Sequence, residues 1–390
     1  METVIVAAKR TAIGSFQGAF AEVPAPKLGS IAIAEALRAS GLTGEEVNEV
    51  IMGCVLTAGL GQAPARQAAV FAKIPYGTPC LTIGKVCGSG LKAVMLADQS
   101  IRSGDADVVI AGGMENMTLA PYLLPKARGG YRMGNGQIVD SMVNDGLWDV
   151  YNNFHMGNAT ELCAKKYEIS REEQDRYATV SYQRSQKSVK EGLFKREIAP
   201  VEIETKKGKV VVDTDEEPGK GSIEKLPSLK PAFDKAGTVT AGNASSVNDG
   251  AAAIVLTSAE FAKKKGLRPL ARIVGHAQAA LAPEWFTIAP SEAIKKVFDR
   301  LRLTAKEIDL FELNEAFAAV ALVNNKILGL SEDRVNVRGG AVALGHPIGA
   351  SGTRILVTLV HALEDMKLKR GLASLCIGGG EAVSLVIERT

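Results

Sequence analysis

The sequence lacks the features that mark disulfide-bonded and zinc-binding proteins. None of its 390 residues belongs to a CxxC pair, and its cysteines are odd in number and widely spaced, at Cys54, Cys80, Cys87, Cys163 and Cys376. Neither a disulfide framework nor a metal site is therefore expected. Reduced thiols are typical of a reducing compartment, so we expect a cytoplasmic protein.

Long apolar runs and an excess of one charge are missing as well. No run of 18 apolar residues occurs, and Met1 leads directly into a predicted strand, so neither a signal peptide nor a membrane-spanning helix is expected. The 46 basic and 43 acidic residues leave a net charge of +3, which does not require a nucleic-acid partner. The length is typical of two or three globular domains.

Predicted strands and helices alternate through the first 117 residues. Strands at 3–8 and 47–55 enclose a helix at 28–40, and a strand at 107–111 follows the helix that begins after Cys87. This alternation indicates a parallel sheet covered on both faces. Residues 118–246 differ, since a polar helix at 171–191 and a charged hairpin at 201–215 follow Gly- and Pro-rich stretches. We interpret them as an insertion.

The second half of the chain repeats patterns of the first. Cys87-Gly88-Ser89-Gly90 and its apolar helix match Gly349-Ala350-Ser351-Gly352 and the helix after it, and 106–113 matches 372–379. These matches indicate a duplicated α/β unit. In such a duplication the active site is expected where the carboxyl ends of the two sheets meet.

Cys87 lies at a predicted strand-to-helix turn, with Leu91 and Val94 at helical spacing behind it. Free N–H groups at a helix start favour a thiolate, and Gly88 and Gly90 would let a substrate or a second chain segment approach the backbone closely. These features suit a nucleophile. A small buried core residue is the alternative.

Three candidates in the second half lie at the ends of predicted strands. Asn314 follows 308–313, His346 follows 335–342, and Cys376 ends the strand from 372. His346 could deprotonate Cys87, and Cys376 could exchange protons with a substrate carbon held between the two thiols. The backbone N–H of Gly378 suits an oxyanion hole. A structural loop histidine and a core cysteine are the alternatives.

These residues lie in segments that resemble the signature blocks of the thiolases: Val86-Cys87-Gly88-Ser89-Gly90, Asn314-Glu315-Ala316-Phe317, Gly345-His346-Pro347-Ile348-Gly349 and Cys376-Ile377-Gly378-Gly379-Gly380. The resemblance extends from Arg10 to the C-terminus. It implies an α/β thiolase fold, in which duplicated βαβαβαββ halves form a layered α-β-α-β-α core with an inserted loop domain. The domains would be 1–117 with 248–269 (the N-terminal half), 118–247 (the loop domain) and 270–390 (the C-terminal half).

The resemblance also implies a ping-pong acyl transfer without a metal or prosthetic group. Cys87 would carry the acyl group after His346 takes its proton, and Cys376 would deprotonate the methyl group of a second acetyl-CoA. Asn314 would hold a water that forms one oxyanion hole with His346. The N–H groups of Cys87 and Gly378 would form the other. The expected activity is acetyl-CoA C-acetyltransferase: two acetyl-CoA give acetoacetyl-CoA and CoA, or the reverse thiolysis.

In this family the loop domain covers CoA. By resemblance, Ser245 would hydrogen-bond the pantetheine arm and His155 would line the pocket beside it. A buried structural histidine is the alternative for His155. Four lysines could meet the nucleotide phosphates, although any of them could equally be a solvated surface residue: Lys206, Lys207, Lys220 and Lys230.

The sequence departs from the family pattern at three places. Trp285-Phe286-Thr287-Ile288-Ala289-Pro290 replaces Met-Gly-x-Gly-Pro, so Phe286 lines the acyl pocket in place of Met and leaves the chain length open. Ser245-Ser246-Val247 replaces Ser-Gly-Leu. Glu381 replaces a small or amide residue, either as a charge near the pocket mouth or as a solvated glutamate.

Alternative functions follow from these departures and from related folds. A 3-ketoacyl-CoA thiolase of broader chain length, serving β-oxidation in fatty acid metabolism, is the main one. A ketoacyl synthase would lack the second catalytic cysteine, and a non-catalytic lipid-binding member would lack one of the catalytic residues. The family also implies a homo-oligomer, a dimer or a homotetramer.

Overall fold

The computed structural model describes residues 1–206 and 208–390. Its strands are β1 Thr3–Thr11, β2 Gly14–Ser15, β3 Glu49–Gly53, β4 Cys80–Ile83, β5 Val108–Asn116, β6 Tyr122–Leu123, β7 Val139–Asp140, β8 Trp148–Asp149, β9 Phe154–His155, β10 Ile198–Ala199, β11 Val201–Thr205, β12 Gly208–Val212, β13 Asn248–Ser258, β14 Ala271–Ala280, β15 Leu310–Leu313, β16 Arg370–Ile377 and β17 Glu381–Arg389. Its helices are α1 Ala25–Ser40, α2 Pro64–Phe71, α3 Ser89–Ser103, α4 Ser141–Gly146, α5 Met156–Lys166, α6 Arg171–Lys190, α7 Glu217–Lys220, α8 Ala259–Lys265, α9 Ala289–Leu301, α10 Ala318–Leu328, α11 Ala341–Leu344 and α12 Ile348–Asp365.

The main sheet consists of two similar halves. In the first, the order is β4-β3-β5-β13-β1, with β3 parallel to β4 and β5, and β13 antiparallel to β5 and β1. In the second, the order is β15-β16-β17-β14, with β15 parallel to β16, and β17 antiparallel to β16 and β14. A short pairing of β1 with β14 joins the halves. The repeated order is the duplication that the sequence predicts.

The prediction of a parallel sheet is wrong, because each half is mixed. In the second half, β16 is followed at once by a turn in which Gly379 and Gly380 have φ of +89° and +86°. A connection this short allows only an antiparallel partner, whereas a parallel one needs a crossover. The strand predicted at 335–342 is also wrong. Only Val335 forms a bridge, to Phe311, and Gly339, at φ +81°, turns the chain before α11 begins.

Helices α3 and α12 lie between the two halves of the sheet, and α1 and α9 pack on the outer faces. The inner helices approach closely at glycines. A Cβ atom on Gly352 would lie 2.3 Å from the amide nitrogen of Leu91, and one on Gly90 would lie 2.7 Å from Thr353 Oγ1. Of the two approaches predicted for Gly88 and Gly90, the structure shows that of a second chain segment, since Gly88 packs against Ile377 in the same way. The glycines bring the N-terminal ends of α3 and α12 together.

The segment between β5 and β13 is anchored to the sheet by buried charges. Arg10 on β1 is fully buried and pairs with Glu197 at 2.6 Å and with Asp215 at 2.7 Å. A buried ion pair of this kind fixes the relative position of its elements, because removing one partner leaves an uncompensated charge. The domain boundaries given above stay a prediction. Among residues 1–206 and 208–390, no helix is long and apolar enough to cross a membrane.

Candidate active site

Cys87 lies in a tight turn immediately before α3. Val86 has φ of +43°, a left-handed conformation that costs a branched residue free energy and persists only where the surroundings enforce it. Ser89 provides that constraint, since its hydroxyl accepts the Lys85 N–H at 2.8 Å and donates to the Val86 carbonyl at 2.7 Å. The turn places the half-buried Cys87 just before the N-terminal end of α3.

Burial raises the pKa of the Cys87 thiol to about 11, although the backbone N–H groups of Gly378 and Cys87 itself oppose the shift. These N–H groups favour the thiolate, as predicted, but desolvation outweighs them. Cys87 rests as a thiol and needs a base.

His346 is oriented for that task by its hydrogen bonds. Its backbone N–H donates to Asn248 Oδ1 at 2.9 Å, and its Nδ1 lies 2.6 Å from the hydroxyl of Ser351. The single Ser351 hydroxyl proton is directed to the Pro347 carbonyl at 2.9 Å. A Ser351 hydroxyl that donates to Pro347 accepts from His346 Nδ1, and Nε2 then carries the lone pair.

The electrostatic surroundings keep that imidazole neutral. Burial lowers the pKa of His346 to about 3, and the buried Arg354 cation adds to the shift. Asn314 lies beside the ring, with its Nδ2 3.5 Å from His346 Nε2. Among the residues that the structure describes, no hydrogen-bond partner is found for Asn314 Oδ1.

Cys376 ends β16 and is fully buried. Burial raises its pKa, and the nearby Cys87 sulfur raises it further, so the two thiols lie close enough to interact electrostatically. Gly378 follows, with its backbone N–H directed at the Cys87 thiol. The fold therefore brings Cys87, His346, Asn314, Cys376 and Gly378 together from both halves of the chain.

A cavity of about 230 Å³ leads to Cys87, His346 and Gly378. Asn314 and Cys376 lie behind its wall and not among its lining residues. The rest of the lining is mainly apolar: Met117, Gly146, Leu147, His155, Met156, Phe233, Ala244, Ser245, Ser246, Val247, Phe286, Ala316, Phe317 and Ile348.

Two of the residues predicted to bind CoA, His155 and Ser245, line this cavity. His155 stacks on Phe233, with ring centroids 4.7 Å apart, and its Nδ1 accepts the Gly157 N–H at 3.0 Å. Burial lowers the pKa of His155, so its neutral ring carries the proton on Nε2. The Ser245 hydroxyl donates to the Ala316 carbonyl at 2.9 Å and keeps its lone pairs for a ligand donor.

Lys220 does not line the described cavity. Its ammonium bonds to the Ser15 hydroxyl and lies 3.6 Å from Glu216. Lys206 and Lys230 are exposed at the surface, and Lys207 lies outside the described residues. A role for these lysines at nucleotide phosphates stays a prediction.

Phe286 is one of the residues that line the cavity. It is 2% exposed and meets Phe317 edge-on, with ring centroids 6.4 Å apart. The neighbouring Trp285 packs under the Lys166 ammonium, 4.0 Å from the ring centroid. Phe286 is therefore the residue of the substituted segment 285–290 that forms part of the described cavity's wall.

Glu381, the third departure, is paired with Lys85 in an ion pair. Its charge is paired, and 39% of its side chain stays exposed to solvent.

Ser351 and Glu315 lie inside the motifs, but the sequence analysis predicts no role for them. Glu315 accepts hydrogen bonds from Tyr177 and Ser181 on α6, from Asn336, and from the N–H of Val342. It therefore ties the inserted segment to the chain on both sides of the site. The sequence signal for such a role is a carboxylate inside an apolar run, because a buried charge needs several hydrogen-bond donors around it.

Thus a thiol and a neutral imidazole line the same cavity, backbone N–H donors face that sulfur, and a second thiol lies nearby. This arrangement suits nucleophilic attack on an activated acyl group, followed by proton exchange at a neighbouring carbon.

Comparisons with known proteins agree with this chemistry. The family described as "Thiolase, N-terminal domain" matches residues 3–260, and "Thiolase, C-terminal domain" matches 267–389. The chain is 53% identical to an acetyl-CoA acetyltransferase of Pseudomonas aeruginosa, covering 100% of this chain and 99% of that protein. Acetyl-CoA acetyltransferase 1 of Arabidopsis thaliana is 53% identical, with 99% and 94% covered. The Acat5 thiolase from Ascaris suum, solved in complex with coenzyme A, superposes with a TM-score of 0.95 at 43% identity, over 100% of both chains.

Proposed function

We propose that the chain, which belongs to the thiolase family, is an acetyl-CoA C-acetyltransferase. Membership of this family makes it an acyltransferase. It would join two acetyl-CoA into acetoacetyl-CoA and CoA, or run the reverse thiolysis. One observation carries the proposal: the neutral His346 and the Cys87 thiol line the same cavity, and the Gly378 N–H is directed at that thiol.

In the first half-reaction, His346 Nε2 takes the Cys87 proton and the thiolate attacks the carbonyl carbon of acetyl-CoA. The N–H groups of Cys87 and Gly378 would stabilise the oxyanion. When the carbon–sulfur bond to CoA breaks, Cys376 gives its proton to the leaving thiolate. The half-reaction ends with free CoA, acetyl-Cys87, a Cys376 thiolate and a protonated His346.

In the second half-reaction, the Cys376 thiolate takes a proton from the methyl group of a second acetyl-CoA. The protonated His346, with a water oriented by Asn314, would stabilise the enolate oxygen. The enolate carbon attacks acetyl-Cys87, and the expelled Cys87 thiolate recovers its proton from His346. The Cys87 proton returns from His346, and Cys376 replaces the proton that it gave to CoA with one from the second acetyl-CoA. These steps use no metal or prosthetic group.

The cavity wall supports the binding of a pantetheine thioester. The Nε2–H of His155 can donate to an amide carbonyl, and Ser245 can accept from an amide N–H. The coenzyme A in the Ascaris suum neighbour supports the same ligand here.

Acetylation of Cys87 is the direct test of the mechanism. Incubation with acetyl-CoA followed by peptide mass spectrometry should place one acetyl group on Cys87 and none on the half-buried Cys80, which serves as an internal control. Cys87→Ala should show no adduct and no turnover. An acetyl group on another residue of the wild-type protein would refute the assignment.

The chain-length range is tested by thiolysis of 3-ketoacyl-CoA substrates from acetoacetyl-CoA upward. The Phe286 wall favours the shortest substrate. Comparable turnover of longer chains would favour the broader 3-ketoacyl-CoA thiolase of β-oxidation.

We further propose a cytoplasmic homo-oligomer, a dimer or a homotetramer, with a place in fatty acid metabolism. The cysteines of the described residues are all free thiols, as a reducing compartment would leave them. Size-exclusion chromatography with light scattering would measure the assembly.

A further inference from the structure

An ion pair joins the two loops that carry the acyl-transfer groups. The Lys85 ammonium, two residues before Cys87, contacts the Glu381 carboxylate, three residues after Gly378. We propose that Lys85 and Glu381 are positioning residues that hold the Gly378 N–H against the Cys87 thiol. The inference rests on the proposed function, in which these two groups form the oxyanion hole.

On the first loop, Lys85 is tightly coupled to Cys87. Its N–H is held by Ser89, whose hydroxyl also fixes the Val86 carbonyl in the strained turn. A displacement of Lys85 therefore also displaces the backbone turn that carries the Cys87 thiol.

The second loop is a turn of three glycines. Its ends are held by the backbone pairing of Ile377 with Glu381 and by the Gly380 carbonyl, which accepts the Leu281 N–H at 2.8 Å. Gly378, Gly379 and Gly380 carry no side chains, and the last two occupy left-handed conformations. Glycine has the greatest backbone freedom, so such a loop depends on the residues at its ends. Ile377 packs against Gly88 on one side, and Glu381 provides the ionic contact on the other.

A second lysine, Lys92, also interacts with the Glu381 carboxylate. Lys92, on the next turn of α3, is half-buried, and its pKa is lowered first by burial and then by Lys85, while Glu381 acts in the opposite direction. The Glu381 carboxylate therefore opposes the effect of the Lys85 charge on Lys92. The Lys85 and Glu381 side chains are 21% and 39% exposed, so solvent limits the coupling and we expect kinetic effects of about fivefold.

The test measures the rate of Cys87 acetylation by rapid quench and mass spectrometry, together with kcat, KM and the melting temperature. The variants are Lys85→Met, Glu381→Gln, the double variant, and the charge swap Lys85→Glu with Glu381→Lys. Lys265→Met is the matched control, because Lys265 forms a comparable half-exposed pair with Glu46 away from the site.

Each single variant should slow acetylation and lower kcat about fivefold with little change in KM, and the double variant should be no slower than either. The charge swap should restore part of the rate, and Lys265→Met should match the wild type. Losses that multiply in the double variant, or a lower melting temperature with unchanged acetylation, would overturn the inference. A wild-type protein that forms no acetyl-Cys87 would instead refute the proposed function.

Discussion

Replacing Ser351 with alanine should impair the base without touching the nucleophile. The Ser351 hydroxyl is the acceptor for His346 Nδ1 at 2.6 Å, in a fully buried environment. Without it, the Nδ1–H tautomer leaves a buried donor without its partner, which costs about 1–3 kcal/mol. The imidazole then shifts its proton to Nε2, where it can no longer accept one from Cys87.

The expected loss follows from that cost. Because each 1.36 kcal/mol corresponds to a tenfold rate change, kcat should fall by about 5- to 150-fold. The fraction of His346 in the other tautomer should rise in parallel. Substrate binding should change little, since Ser351 does not line the cavity.

Two measurements check this prediction together. Steady-state thiolysis of acetoacetyl-CoA gives kcat and KM, and nitrogen-15 NMR of labelled imidazoles reports the tautomer. The sequence contains only four histidines, so assignment is practicable. Ser185→Ala is the matched control, because Ser185 is also a buried helical serine whose hydroxyl donates to a backbone carbonyl, that of Tyr182. A Ser351→Ala protein that keeps both its kcat and the Nδ1–H tautomer would refute the reasoning.

Three further predictions concern the same site. Cys376→Ala should still accept an acetyl group from acetyl-CoA on Cys87, detected by mass spectrometry, but should make no acetoacetyl-CoA; retained synthesis would exclude Cys376 as the base. The pKa of His346 is about 3 and that of Cys87 about 11, so neither group should gain or lose a proton between about pH 6 and pH 9. The acetylation rate should therefore not change with pH over this range. A change in rate centred near pH 6.5 would show that His346 titrates as an ordinary imidazole. Phe286→Ala should lower the free energy of unfolding by about 3–5 kcal/mol, measured by chemical denaturation. It should also raise the rate of thiolysis of longer substrates relative to acetoacetyl-CoA. Unchanged selectivity would mean that another residue limits the chain length.

Most of the site was predictable because its residues lie in contiguous segments. Cys87, His346, Asn314 and Cys376 each sit in a short block whose glycines and flanking strand or helix are visible in the sequence. The duplication was also visible, since both halves repeat the same alternation. The strand predicted at 335–342 failed because Gly339 turns the chain, which an apolar run does not reveal.

Protonation states could not be predicted from the sequence. The helix start beside Cys87 indicated a thiolate, but the degree of burial reverses that conclusion. Burial depends on how closely α3 and α12 pack between the two halves of the sheet. Likewise, the side of His346 that carries the proton depends on where the Ser351 hydroxyl directs its own.

The sequence alone determined the family, the repeated architecture and the types of reactive group, because these depend on local patterns. Only the tertiary structure decided that Lys85 meets Glu381, that Lys220 lies away from the described cavity, and that Phe286 forms its wall. These contacts join residues far apart in the chain, and their geometry is set by the packing of whole elements, which no local pattern encodes.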